Sequence, residues 1–142
     1  MAPDNALDDF DWVSAQAQCS ASSMFEILRT HVREDVQRRN GIRRGDGWTF
    51  DFDEEGDAFD VSRLESSPHG TPRVLALVRF ERTGTRINVQ GEDIEVDFTA
   101  IVSLDASGAC RFVVGEAMYA DWEIRRMALE LLFFEEFEES ED

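Results

Sequence analysis

The chain has 142 residues, with 31 Asp and Glu against 14 basic residues, for a formal charge of −17. Its 42% hydrophobic and 11% aromatic content is too rich for an acidic disordered chain, and its length suits one domain. A field of that sign repels phosphate and excludes nonspecific binding to DNA, RNA or an anionic membrane.

Residues 1 to about 20 show no clean period. Leu7, Phe10, Trp12 and Val13 stand among Asp4, Asp8, Asp9 and Asp11, which predicts a mobile acidic segment with a short helical turn docking Trp12. The segment lacks the basic and apolar regions of a secretory signal. Cys19 and Cys110 lie far apart and form no C-x-x-C or zinc-type cluster, so two buried, unpaired thiols are expected.

A helix is predicted over about 21–40. Ser23 and Glu26 fit a capping box, and Phe25, Leu28, Val32 and Val36 recur at spacings of three and four. Glu26–Arg29, Glu34–Arg38 and Asp35–Arg39 stand at pairing distance, and Asn40-Gly41 offers a left-handed end. Arg33, Arg38, Arg39, Arg43 and Arg44 cluster around that end, the one local exception to the acidity. Cations there complement the helix dipole, and the cluster could also receive the acidic C-terminal tail, from the same chain or a second subunit.

The period then changes to two. Trp48, Phe50 and Phe52 alternate with Thr49, Asp51 and Asp53, and Phe59 and Val61 continue a partner strand after Glu54-Glu-Gly-Asp57. Further strands are predicted at Val74–Phe80, Ile87–Val89, Ile94–Leu104 and Cys110–Val114, with tight turns that require antiparallel pairing. A closing helix runs from Asp121, a candidate N-cap, to Phe137. Ile124, Met127, Leu131 and Phe134 form one apolar stripe; Leu129, Leu132 and Phe133 lie round the side. No apolar run reaches the length of a membrane span.

The expected architecture is α+β: an N-terminal helix, an antiparallel sheet of five to six strands, and a C-terminal helix packed on one sheet face. Residues 1–20 form the leading segment, 21–137 the domain and 138–142 an acidic tail. A soluble, cytoplasmic protein is expected.

Motifs for nucleotide binding, P-loops, serine hydrolases and zincins are absent. His31 with Asp35 one turn later could orient an imidazole, but a surface ion pair explains the same residues; His69 falls in a polar loop. Residues 51–57 resemble the start of a calcium loop, yet position twelve is Ser62 and the flanks alternate as strands. No metal, cofactor or catalytic residue is therefore assigned. Asp51, Asp53, Asp60, Glu95 and Asp97 project from the predicted outer sheet face. They suit a solvated face, a docking surface for a basic partner, or a mimic of a phosphate backbone.

The leading expectation is a non-enzymatic interaction module of chaperone, adaptor or immunity type. It would bind a partner protein and form a homodimer through Leu129, Leu132, Phe133 and Phe137. A nucleic-acid-mimicking inhibitor is the second reading. The third is a small-ligand binder with a pocket lined by Trp48, Phe50, Phe98, Phe112 and Met118.

Overall fold

The computed structural model describes residues 9–42, 44–67 and 70–135. Leu7, Arg43, His69, Phe137 and the tail at 138–142 lie outside the described residues. Two helices, α1 (Trp12–Gln18) and α2 (Ala21–Asn40), precede seven strands, and α3 (Asp121–Phe134) closes the order. The strands are β1 (Trp48–Glu55), β2 (Ala58–Ser67), β3 (Gly70–Thr83), β4 (Arg86–Glu92), β5 (Asp97–Leu104), β6 (Cys110–Val114) and β7 (Ala117–Tyr119). They form one antiparallel meander in chain order. The α+β expectation is met with one strand more than predicted, the three-residue β7. Ile94 and Glu95 fall in the connection before β5, which starts at Asp97.

Three two-residue turns set the register. Gly56, Gly84 and Gly115 occupy the first turn position with φ of 62°, 64° and 63°, joining β1–β2, β3–β4 and β6–β7. A right-handed sheet twist favours such turns, and only glycine takes that φ without strain. Residues 51–57 are therefore part of a hairpin, in line with their alternation.

Period-two alternation divides the sheet into two faces. Phe50, Phe59, Val61, Val78, Phe80, Ile87, Val89, Ala100 and Phe112 point to the side covered by α2 and α3 and make the core with Phe25, Leu28, Val32 and Val36. Phe59 stacks on Phe80 at 4.6 Å and meets Phe25 at 5.2 Å, which seats the first half of α2 over β2 and β3.

Helix ends depart from the predicted signals. Ser20 rather than Ser23 caps α2: its hydroxyl accepts the Ser23 N–H at 3.0 Å. Gly41 is right-handed, with φ −80°. What stops α2 is Asn40, whose side-chain amide donates to the Phe50 carbonyl and accepts its N–H, both at 2.9 Å. Asn40 thus acts as one rung of an extra strand on the β1 edge. At α3 the N-cap is Ala120, not Asp121, and Glu123 accepts the Ala120 N–H at 2.8 Å. The C-terminus of α3 has no glycine. Its carbonyls are met instead by two buried arginines: Arg63 from β2 reaches Leu131, Leu132 and Glu135, and Arg39 from α2 reaches Phe133.

The two cysteines are not separate thiols. Cys19, between α1 and α2, is joined to Cys110 on β6 across 91 residues. Sequence spacing was silent on this pairing because α2 crosses the sheet and returns the chain start to β6. Trp12 does not dock either. It is largely exposed, α1 contributes no buried residue, and Phe10 lies against Gly108 where a Cβ would collide with its ring. The segment Trp12–Gln18 is helical and is tied to the sheet through the neighbouring Cys19.

Candidate functional site

α2 and α3 run side by side in the same direction, joined at three heights. His31 Nδ1 lies 2.9 Å from Asp121 Oδ1, Arg125 donates to both oxygens of Asp35 at 2.8 and 2.7 Å, and Arg39 reaches the Phe133 carbonyl at 2.8 Å. His31 therefore pairs across the helices with Asp121, not with Asp35. Asp35 takes Arg38 and Arg125 rather than Arg39, which is buried and bound to Asp46 at 3.0 Å. Partial burial alone would lower the Arg125 pKa, but Asp35 and Asp121 hold it above its ordinary value. The rung is a fixed ion pair.

Between these helices lies an open groove of about 380 Å³. Leu129 and Phe133 form its floor; Ile42, Trp122 and Phe134 stand along its margins with 50%, 56% and 40% of their surface exposed. Arg38, Arg39, Arg125 and Arg126 line it against Asp35 and Glu130, four cations to two carboxylates. Arg39 and Arg44 also lie over the Phe134 ring at 5.3 and 5.4 Å. Glu34, Asp46 and Asp121 pair with Arg38, Arg39 and Arg125 from just outside the lining, so the groove is a partly apolar surface of balanced charge on a chain of −17.

This placement corrects the surface expected for α3. Leu129, Leu132 and Phe133 are core residues with 2%, 0% and 7% exposure, so they are not an open dimer face. The reason is the phase of the helix. Ile124, Ala128 and Leu132 face the sheet with Leu129 and Phe133 beside them, and small Ala128 carries no hydrophobic weight in a reading by size. Met127, Leu131 and Phe134, expected on the core side, are exposed instead, as is Trp122. Phe137 is outside the described residues.

The outer sheet face carries Asp51, Asp53, Asp60 and Asp97 as expected, with Glu95 exposed in the β4–β5 connection. Their register is informative. The cross-strand row reads Asp53, Asp60, Arg79, Gln90 and Asp97 from β1 to β5. Arg79 sits in the middle and binds Asp60 at 3.1 Å and Glu81 at 3.8 Å. A phosphate mimic needs an unbroken run of negative charge, and here a cation interrupts it after two carboxylates.

The five residues expected to line a ligand pocket are scattered. Phe50 and Phe112 are buried in the core, and Phe98 packs against it at half exposure or less. Trp48 is covered by the Arg63 guanidinium at 3.7 Å. Met118 pairs with Val113 on the opposite face. These side chains fill space; they do not surround it.

Comparison of the chain with known protein families, curated proteins and solved structures finds no match.

Acidic turns carry a separate prediction. Asp105 is held far below its ordinary carboxylate value by the Ser107 hydroxyl, Arg111 and the Ala109 N–H. Burial would raise Asp46, but the Trp48 N–H and Arg39 keep it low; the Arg29 hydrogen bond, with Arg33, does the same for Glu54. A carboxylate whose folded pKa is depressed contributes stability above its unfolded value and loses it as pH falls through the folded one. The denaturation midpoint of wild type minus that of Asp105→Asn should therefore be largest near neutrality. It should shrink steadily below about pH 4. A difference independent of pH from 7 to 2 would contradict the assignment.

Proposed function

We propose that this protein is a non-enzymatic interaction module, and that the α2–α3 groove docks an apolar segment carrying acidic residues from a partner protein. The observation that carries this reading is a partly open apolar groove rimmed by exposed arginines, where the acidity of the rest of the chain is locally balanced. Trp122 and Phe134, two aromatic anchors of the type that dominate binding energy, stand at its margins with arginines around them. Both cysteines form the disulfide, so neither is free to act as a thiol nucleophile. No helix among the described residues is long and apolar enough to cross a membrane. The disulfide favours an oxidising compartment over the reducing cytoplasm first expected.

Selection of a random peptide library on the immobilised protein tests the proposal. Enriched peptides should combine one or two large apolar residues with Asp or Glu. Trp122→Ala should weaken them by about tenfold, as expected when a large aromatic contact is lost. The thermal midpoint should change little, because Trp122 is exposed. Enrichment of Lys- and Arg-rich peptides instead would assign binding to the sheet face and overturn the proposal.

A further inference from the structure

Resting on that reading, we propose that the groove's resident occupant is the chain's own segment Glu136–Asp142, folded back from the end of α3. Three observations converge. The first is position. α3 ends at Phe134, itself on the groove margin, and Glu135 leaves in an extended conformation with its N–H still bonded to the Leu131 carbonyl. The chain therefore emerges at the groove's own end, beside Ile42 and Arg39.

Charge is the second. The segment reads Glu-Phe-Glu-Glu-Ser-Glu-Asp, five carboxylates around one aromatic residue. Facing it are Arg38 and Arg126, whose side chains are 68% and 63% exposed and held only by surface ion pairs with Glu34, Asp35 and Glu130. Such pairs contribute little and exchange readily. Arg44, over Phe134, adds a further cation at the exit. Elsewhere on this chain a run of five carboxylates meets mostly its own sign.

The third is length. From Trp122 to Phe134 the groove follows twelve residues of helix, roughly 18 Å at 1.5 Å per residue. Seven extended residues reach roughly 23–25 Å, enough to turn and lie along it. Folded back in this way, Phe137, second in the segment, would meet the groove where the apolar floor of Phe133 and Leu129 begins. Tethering at this distance gives an effective concentration on the order of millimolar, so a contact too weak to hold a separate peptide would still be occupied. The segment would then compete with an external partner, and only a tighter acidic, aromatic sequence would displace it.

The test uses the full chain with Phe137→p-benzoylphenylalanine, irradiated at low protein concentration. Cross-links are mapped by mass spectrometry. The proposal expects intrachain cross-links to Arg38, Ile42 or Arg126, reduced severalfold at 0.5 M salt. A second readout is the affinity of a library-selected acidic, aromatic peptide for full-length Phe137→Ala. It should bind at least threefold tighter than to wild type, because the resident competitor is weakened. Cross-links between copies, or to the sheet face, would overturn the proposal. So would equal peptide affinity for wild type and Phe137→Ala, but the docking function of the groove would stand. Absence of any acidic-peptide binding to either protein would remove both.

Discussion

Replacing Arg63 by methionine is expected to lower the unfolding free energy by about 3–5 kcal/mol, the cost of breaking a buried charged network. Arg63 is 1% exposed and sits on the core face of β2 opposite Phe50. Its Nε donates to Leu132 at 2.9 Å, and its Nη2 reaches Leu131, Leu132 and Glu135 at 3.0, 2.6 and 2.8 Å. Leu131 and Leu132 belong to the last turn of α3 and Glu135 is its C-cap, the negative pole of the helix, where carbonyls run short of intrahelical donors. Without the guanidinium the buried Leu132 carbonyl would lose its donor, at roughly 1–3 kcal/mol. Trp48 would lose the cation stacked on it. Lysine supplies charge but not the planar fork, so Arg63→Lys should recover only part of the loss. A fall in Tm of roughly 10–17 °C is the corresponding readout for a domain of this size. Arg73→Met removes an exposed pair with Glu65 and should stay within about 0.5 kcal/mol, which provides the control. Equal denaturation midpoints for Arg63→Met and Arg73→Met would show that the α3 end does not depend on Arg63.

Removing the disulfide by Cys19→Ser with Cys110→Ser should cost about 2–4 kcal/mol. The chain-entropy argument for so long a loop gives a ceiling near 5 kcal/mol. The loss has a local component. α1 is seven residues long, buries no side chain, and is far shorter than an isolated helix needs in water. Its place rests on the Cys19 bond and on Phe10 against Gly108. Amide exchange should therefore show α1 losing protection on reduction while the β2, β3 and β4 amides keep theirs. Retained protection of α1 in the serine variant would mean that noncovalent contacts suffice.

Much of the fold was legible because its signals are local. Trp48–Phe52, Ile87–Val89 and Asp97–Leu104 alternate cleanly, and Phe25, Leu28, Val32 and Val36 all enter the core as their spacing requires. The failures are long-range. Arg39 and Arg63 look like surface cations, yet both are buried because α3's carbonyl end lies over them. Asn40 reads as a helix terminator and works as one, but by bonding Phe50 rather than by a left-handed glycine. The Cys19–Cys110 pairing depends on how α2 crosses the sheet, which no spacing encodes. The site was half visible. The arginine cluster at the end of α2 and the apolar surplus on α3 are both readable in the sequence. Which side of α3 stays open turned on Ala128 and on Trp122, a residue that fitted neither predicted stripe.

The α2–α3 groove as the docking surface is tested most directly by titrating a library-selected acidic, aromatic peptide into the ¹⁵N-labelled protein and mapping the shifted amides and indole. The shifts should centre on Ile42, Trp122, Arg126 and Phe134, and fade with added salt. Shifts centred on Asp51, Asp53 and Asp97, with Trp122 unmoved, would place the binding surface on the sheet and contradict the account.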